Sequence, residues 1–163
     1  MKLIDPIIEF HHELQRIRRE IHANPELCFD ERETADLVAK KLTEWGIPIL
    51  RGMGVTGVVG IIKNGTSDRA IGLRADMDAL PMQEINTFPH ASRNTGKMHA
   101  CGHDGHTAML LGAAHYLSQN KNFDGTVYVI FQPAEEGGGG AKRMMDDGLF
   151  SKCPMEAVFG MHN

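Results

Sequence analysis

The sequence lacks a long apolar run, an excess of basic residues and an even number of cysteines. No stretch approaches the roughly 20 apolar residues that a membrane-spanning helix needs, and residues 1–6 lack the apolar part of a secretory signal. The formal net charge of −4 argues against nucleic acid or an anionic membrane as the main partner, because both attract a basic face. Three cysteines do not complete a disulfide framework, so we expect a protein of the reducing cytoplasm.

The composition is that of a soluble globular domain. Hydrophobic residues make up 42% and charged residues 23% of 163 residues, which is the length of one ordinary domain. Glycine is abundant, with 18 residues. Many of these glycines stand beside histidines and carboxylates, where the backbone must approach a ligand closely.

Two segments near the N-terminus show helical periodicity. Apolar residues at steps of three or four predict a first helix over Ile7 to Ile21, which ends near Asn24 because Pro25 follows. A second helix is predicted from about Glu31 to Trp45, with Gly46 at the position of a C-terminal cap.

The rest of the chain alternates between strands and helices. Strands are predicted at Val58–Ile62, Ala70–Ala75, Thr126–Phe131 and Ala157–Gly160. Residues 81–98 read as a long loop, and helices are predicted from near Gly105 and over residues 140–147. Such alternation predicts an α/β fold, a three-layer sandwich around a mostly parallel mixed sheet, without an internal linker.

The densest group of chemically active residues lies between His99 and His106. Three histidines, one cysteine and one aspartate fall within eight residues, which is more ligand capacity than a solvated loop needs. Thiolate and imidazole are preferred ligands of zinc and similar divalent metals. Cys101 and His103, two residues apart, can face one cavity.

Further acidic groups and a histidine follow three predicted strands. Glu135 and Glu136 come just after the strand over 126–131 and run into four glycines, where one carboxylate can hold metal while the other accepts a proton. Asp76 and Asp78 follow another strand, although Asp-x-Asp alone is as typical of a structural turn. His162 follows the last strand. Ligands in open α/β sheets bind beyond the carboxyl ends of strands, so this common placement predicts one site.

These motifs together resemble the aminoacylase and carboxypeptidase-type metallopeptidases, and most closely their branch of hippurate hydrolases and bacterial N-acyl-amino-acid amidohydrolases. The resemblance covers essentially the whole chain and implies the phosphorylase/hydrolase-like catalytic domain of that family. The matching segments are His22-Ala23-Asn24-Pro25-Glu26-Leu27, Gly72–Pro81, Met98–His106, Gln132–Gly138 and Gly160-Met161-His162-Asn163.

The resemblance implies roles for individual residues. Cys101, His103, Glu136 and His162 match ligands of two divalent ions, which could be zinc, manganese, cobalt or nickel. Glu135 matches the general base that activates water. Asp76 matches an active-site aspartate with Asp78 beside it, and the sequence does not separate their roles. The implied reaction is metal-assisted hydrolysis of a small N-acyl amino acid to a carboxylic acid and an amino acid.

The family's chain is longer than this one. It continues through a lid or dimerisation domain and returns to the catalytic domain, supplying another histidine ligand and groups that hold the substrate carboxylate. We therefore expect residues 1–163 to be the N-terminal part of the catalytic domain, with the last strands absent and a sheet edge exposed. The resemblance implies a homodimer for the full-length protein only.

Three functional hypotheses follow from these patterns. The first is an amidohydrolase that acts on N-acyl amino acids such as benzoylglycine. The second is a catalytically inactive, metal-binding remnant of such an enzyme. The third, a structural zinc domain, fits poorly because such sites use Cys and His ligands in short paired spacings.

The other cysteines, and two polar residues near the ligand motif, are predicted to have structural roles. Cys28 and Cys153 are interpreted as small packing residues. We expect Asp104 and His106 to support the metal ligands through hydrogen bonds.

Overall fold

A five-stranded mixed sheet carries the fold in the computed structural model, which describes residues 4–163. Helices on both faces complete three layers. The strands are β1 Ile49–Met53, β2 Gly57–Asn64, β3 Ala70–Asp76, β4 Gly125–Gln132 and β5 Ala157–Gly160. The helices are α1 Asp5–Ala23, α2 Arg32–Glu44, α3 His103–Gln119, α4 Gly140–Asp146 and α5 Leu149–Lys152. None of the helices in the described residues combines the length and hydropathy that a bilayer-spanning helix requires.

The strand order brings three carboxyl ends to one edge of the sheet. The order is β1-β2-β4-β3-β5, in which β3 runs parallel to both β4 and β5. Strand β2 is antiparallel to β4, and β1 is antiparallel to β2. Asp76 is in register with Gln132, and Arg74 with Gly160, so the segments that follow these three strands begin side by side.

Side-chain alternation along β4 divides the core into two layers. Val127, Val129 and Phe131 pack with α1, α2 and α3 on one face. Tyr128 and Ile130 pack on the other face with residues of α4, α5 and Cys153. This period of two in a nearly continuous apolar run is what a strand covered on both faces requires. The predicted three-layer α/β architecture is therefore confirmed.

Three local features differ from the sequence-based expectations. Helix α3 begins at His103, two residues before the predicted start near Gly105, because the Gly102 carbonyl accepts the Gly105 and His106 N–H groups. Strand β1 and helix α5 were not predicted, since both are short and lack a periodic pattern. Strands β2 and β3 are consecutive in the chain but not neighbours, because β4 lies between them.

The predicted loop over residues 81–98 is present and is closed at its base. Leu80 and Met98 form an antiparallel bridge with both backbone hydrogen bonds, of 2.9 and 3.1 Å. Asp78, just before the loop, contacts His103, just after it, with 2.7 Å between the Asp78 carbonyl oxygen and His103 Nδ1. The segments before and after the 81–98 loop are therefore distant in sequence but adjacent in the structure.

Strand β5 is the edge strand of the sheet on the side away from β1. This strand pairs only with β3 among the described residues, and its Val158 and Phe159 side chains are 44% and 57% exposed. The sheet edge is thus open and partly apolar, a feature that natural proteins usually cover.

The turn between β4 and α4 predicts a strong dependence on Gly140. A Cβ atom at Gly140 would lie 1.7 Å from the Pro133 carbonyl oxygen, a backbone atom that cannot move without shifting the turn. We expect Gly140→Ala to lower the free energy of unfolding by about 1–3 kcal/mol. Gly105→Ala is the matched control, because a Cβ there meets nothing closer than 3.9 Å and alanine favours the helix by up to ~1 kcal/mol. Urea denaturation measures both, and a loss for Gly105→Ala equal to that for Gly140→Ala would contradict this prediction.

Candidate metal centre

Groups that can bind metal converge around His103, at the carboxyl ends of β3, β4 and β5. Three sets have ligand atoms within 4.8 Å of one another. The sets are Cys101, His103 and His162; Asp76, His103 and His106; and His103, Glu135 and Glu136. Six of the seven residues selected from the sequence lie in these sets. The seventh, Asp78, accepts hydrogen bonds from His103, Glu135 and Glu136.

The imidazole of His103 is fixed so that one ring nitrogen faces this cluster. Its Nδ1 lies 2.7 Å from the Asp78 carbonyl oxygen, so Nδ1–H donates and the lone pair is on Nε2. Nε2 is buried, has no hydrogen-bond partner among the described residues, and lies 3.6 Å from Asp76 Oδ2. It is also 3.8 Å from Glu136 Oε1 and 3.9 Å from Glu135 Oε2. A buried acceptor facing three carboxylates fits a bound cation, which would satisfy all four groups.

The electrostatics of this cluster also favour a cation. Burial by itself would lower the pKa of His103, but the carboxylates of Asp78 and Asp76 outweigh it and raise that pKa. Burial, reinforced by the carboxylates of Glu136, Glu135 and Asp76, raises the pKa of the Cys101 thiol to about 11. The Cys101 thiolate therefore forms near neutral pH only with compensating positive charge, as metal coordination supplies.

Cys101 and His162 belong to the same ligand set but come from two different segments of the chain. Cys101 Sγ lies 3.3 Å from His162 Nε2, although the two residues are 61 positions apart. Cys101 precedes α3, whereas His162 follows β5, and the His162 ring lies 6.1 Å from that of His103. Parallel pairing of β5 with β3 is what brings His162 to this edge.

The structure separates the positions of the two aspartates, which the sequence did not. The Asp78 carboxylate turns away from the centre: Oδ1 accepts the Glu135 N–H and Oδ2 accepts the Glu136 N–H, each at 2.9 Å. Burial by itself would raise the pKa of Asp78, yet the His103 imidazole, whose Nδ1 lies 3.4 Å from Oδ1, and the hydrogen bonds from these two amides lower that pKa to about 2. The Asp78 carboxylate is therefore ionised and holds the backbone of both glutamates.

Asp76 faces the centre from the end of β3. Its Oδ1 accepts the His106 Nδ1–H at 2.6 Å. Its Oδ2 lies 2.8 Å from Arg74 Nη1, without the alignment of a hydrogen bond. The second nitrogen of His106 contacts Asn163 Oδ1 at 2.7 Å. His106 thus holds the Asp76 carboxylate in place, and its expected support of the metal ligands stays a prediction.

Asp104, in contrast, does not contact any of the selected ligands. Its Oδ2 lies 2.9 Å from His22 Nδ1 and 3.0 Å from Arg18 Nε. The other nitrogen of His22 lies 3.1 Å from Glu84 Oε1, so a buried chain of charges joins α1, α3 and the 81–98 loop. The expectation for Asp104 was wrong because the helix turns its side chain toward α1. Sequence reasoning assigned no role to His22 or Glu84, which are 62 residues apart.

Two further residues missed by the sequence reasoning lie beside the glutamates. Cys28 Sγ lies 3.4 Å from Asp78 Oδ2 and 3.5 Å from the Glu136 carbonyl oxygen, so Cys28 adjoins the cluster rather than serving only for packing. Glu31 is completely buried and accepts the Ala134 N–H at 2.8 Å. Cys153 is a buried core residue, as expected.

Comparison with protein families identifies relatives of this chain. Residues 72–163, which include every selected site residue, match the family model described as peptidase family M20/M25/M40. The hippurate hydrolase of Campylobacter jejuni is 56% identical over 163 residues, which are 100% of this chain and 42% of that protein. This chain therefore spans less than half the length of that relative.

A plant enzyme and a solved bacterial structure extend this comparison. The IAA-amino acid hydrolase ILR1-like 4 of Arabidopsis thaliana is 50% identical over 90% of this chain and 33% of its own length. The crystal structure of the Bacillus subtilis YxeP protein, described as a dinuclear metal-binding peptidase from the M20 family, matches with a TM-score of 0.88. That match has 46% identity and covers 95% of this chain and 44% of the YxeP chain.

His99, at the start of the segment that carries Cys101, predicts acid sensitivity. It is buried, neither ring nitrogen has a hydrogen-bond partner among the described residues, and burial lowers its pKa from 6.5 to about 4. An unfolded chain takes up a proton near pH 6.5, whereas the folded chain does not until about pH 4. The stability conferred by neutral His99 is therefore complete above pH 6.5 and is lost as the pH falls toward 4.

The test compares wild type with His99→Leu by urea denaturation between pH 7 and pH 4. We expect the wild type to lose on the order of 3 kcal/mol more than the variant over this range. All other titrating groups are common to both proteins and cancel in the difference. Stability curves that stay parallel across the range would show that His99 does not titrate differently on folding.

Proposed function

The chain belongs to peptidase family M20/M25/M40, and we propose that it forms the metal-binding part of an amidohydrolase that cleaves N-acyl amino acids. The observation that carries the proposal is the position of Glu135, whose carboxylate reaches the ligand cluster while its backbone is fixed by Asp78. The names of the hydrolases most similar to this chain support N-acyl amino acids as the substrate class.

Four residues are proposed to hold two divalent ions. Cys101, His103, Glu136 and His162 provide the thiol, imidazole and carboxylate donors that suit zinc, manganese, cobalt or nickel. Divalent ions in such a centre act as Lewis acids that polarise a carbonyl and lower the pKa of water. The unpartnered Nε2 of His103 and the high pKa of the Cys101 thiol support this assignment.

Glu135 is proposed as the general base. Its side chain is 39% exposed, so it can meet substrate and water, whereas the Glu136 side chain is less exposed at 23%. In amide hydrolysis Glu135 would take a proton from the attacking water and then pass it to the nitrogen of the leaving amino acid. The products are a carboxylic acid and a free amino acid.

Asp76 and Asp78 are proposed to act in different ways. Asp78 positions the two glutamates and His103 through their backbone and ring N–H groups. Asp76 faces His103 Nε2 and holds His106 in place. Neither carboxylate is required to exchange a proton with substrate in this scheme.

We further propose that residues 1–163 are the N-terminal part of a catalytic domain. The chain covers 42% of the related hippurate hydrolase, and the edge of β5 is open and partly apolar. A lid or dimerisation domain and the remaining strands would then belong to the full-length protein. The same coverage favours a second candidate function, a metal-binding chain that does not hydrolyse substrate by itself.

The experiment measures hydrolysis of a panel of N-acyl amino acids, benzoylglycine included, by this chain with added manganese or zinc. We expect Glu135→Gln to reduce turnover by at least about 100-fold, because it removes the base while keeping the shape of the side chain. Metal binding, measured by calorimetry, should remain within a few-fold of wild type, because Glu135 is not among the four proposed ligands.

Each outcome distinguishes the candidates. Turnover by the wild type that is lost in Glu135→Gln supports hydrolysis by this chain. A folded wild type that binds two ions but hydrolyses none of the panel supports the non-hydrolytic candidate. Turnover that persists in Glu135→Gln would overturn the assignment of the base.

A further inference from the structure

Three consecutive backbone N–H groups leading into the two glutamates are all held by buried carboxylates. The Ala134 N–H donates to Glu31 Oε1 at 2.8 Å. The Glu135 and Glu136 N–H groups donate to the two oxygens of Asp78, each at 2.9 Å. Glu31 therefore restrains the backbone at Ala134 in the same way that Asp78 restrains it at Glu135 and Glu136.

Glu31 reaches this turn from the start of α2. Its side chain is completely buried, and its second oxygen accepts the Thr56 hydroxyl at 2.7 Å. Burial raises the pKa of Glu31, and the hydrogen bonds from Thr56 and from the Ala134 N–H partly offset this. Burying a carboxyl group is costly unless it is hydrogen-bonded, so its two oxygens are matched to these two donors.

The backbone at Ala134 needs such a restraint. Its φ of +51° lies in the left-handed region, which is unfavourable for a residue with a side chain. Ala134 is completely buried, so water cannot replace Glu31 as the acceptor of its N–H. On the other side of the turn, the Gly140 N–H donates to the Ala134 carbonyl oxygen at 3.0 Å. Loss of the Glu31 acceptor would leave a strained turn with an unpaired buried donor, and rotation of that peptide relieves both penalties.

We propose that Glu31 is a positioning residue for the metal centre, which fixes the left-handed turn at Ala134 and thereby aims Glu135 and Glu136 at His103 Nε2. The carboxylates of Glu135 and Glu136 lie 3.9 and 3.8 Å from that nitrogen. Rotation of the turn would therefore move the proposed ligand Glu136 away from an ion held there, and the proposed base Glu135 with it. Cys101 and His162 are on other segments and keep their positions. This inference rests on the proposed metal centre but not on the proposed hydrolysis.

The test separates the reach of the Glu31 side chain from its charge. Glu31→Gln keeps an oxygen acceptor at the Ala134 N–H and can donate to the Thr56 hydroxyl, so its Zn²⁺ affinity should stay within about threefold of wild type. Glu31→Asp keeps the charge but is one carbon shorter, and Glu31→Ala removes both acceptors. We expect Glu31→Asp and Glu31→Ala each to weaken the binding of the Zn²⁺ ion that Glu136 contacts by about 10–100-fold. Calorimetric titrations of the 163-residue chain measure this affinity.

Leu42→Ala is the matched control for lost stability. Leu42 lies on α2, the helix that Glu31 precedes, and is completely buried in the core. Its truncation to alanine should lower the midpoint of urea denaturation clearly, because it leaves a cavity in the core. A merely structural role for Glu31 would make its variants resemble Leu42→Ala, with lower stability and unchanged Zn²⁺ affinity. That result would overturn the proposal.

Two further readouts do not depend on turnover. Amide hydrogen exchange at residues 134–136 should accelerate in Glu31→Asp and Glu31→Ala without metal, but not in Glu31→Gln or Leu42→Ala. The absorption of Co²⁺ bound by the Cys101 thiolate should persist in all four variants, because Cys101 lies on a segment that the turn does not move. Weak binding by Glu31→Gln together with normal binding by Glu31→Asp would show that charge, not reach, matters, and would overturn the proposal. A wild type that binds Zn²⁺ but lacks turnover would contradict only the proposed hydrolysis.

Discussion

The Asp78 carboxylate accepts hydrogen bonds from two consecutive backbone amides, and through them it joins the end of β3 to the segment that follows β4. The same residue accepts the His103 ring N–H with its carbonyl oxygen and so orients the first residue of α3. These contacts are formed only because β3 and β4 are parallel and in register up to Asp76 and Gln132. The geometry of the candidate centre therefore depends on one buried carboxylate more than on any of the ligands.

Charge balance around His103 is the second constraint. The groups that meet there are four carboxylates, the Cys101 thiol and the imidazoles of His106 and His162, with Arg74 as a cation at the edge. Hydrogen bonds satisfy the outer atoms of this group, namely the Asp78 oxygens, Asp76 Oδ1 and His103 Nδ1. The inner atoms, His103 Nε2 and Asp76 Oδ2, lack hydrogen-bond partners within residues 4–163. Among these residues, Asp76 Oδ2 is balanced only by the Arg74 guanidinium, and His103 Nε2 by no group. Proteins rarely leave a buried acceptor without a partner, and a divalent ion would satisfy both atoms.

The sequence predicted those parts of the fold and site that depend on local patterns. Apolar periodicity located α1 and α2, and the dense β-forming run located β4, because each element buries a regular face. The rule that ligands gather beyond the carboxyl ends of strands placed Asp76, the glutamates and His162 together, and the parallel arrangement of β3, β4 and β5 agrees with it. The start of α3 was misplaced because a glycine carbonyl, which leaves no side-chain signal, accepts its first N–H groups.

Positioning contacts were beyond the reach of pattern analysis because they join distant parts of the chain. Glu31 and Ala134 are 103 residues apart, and an isolated glutamate at the start of a helix is usually a solvated residue. Only the fold shows that this carboxyl group is buried against a left-handed alanine. The ligand-bearing turn itself is rich in glycine, and a flexible turn would lose conformational entropy each time it bound an ion. The carboxylates of Glu31 and Asp78 order the backbone of the turn during folding, so this entropy is not lost again when an ion binds. The affinity of such a centre is then determined as much by residues that never touch the metal as by those that do.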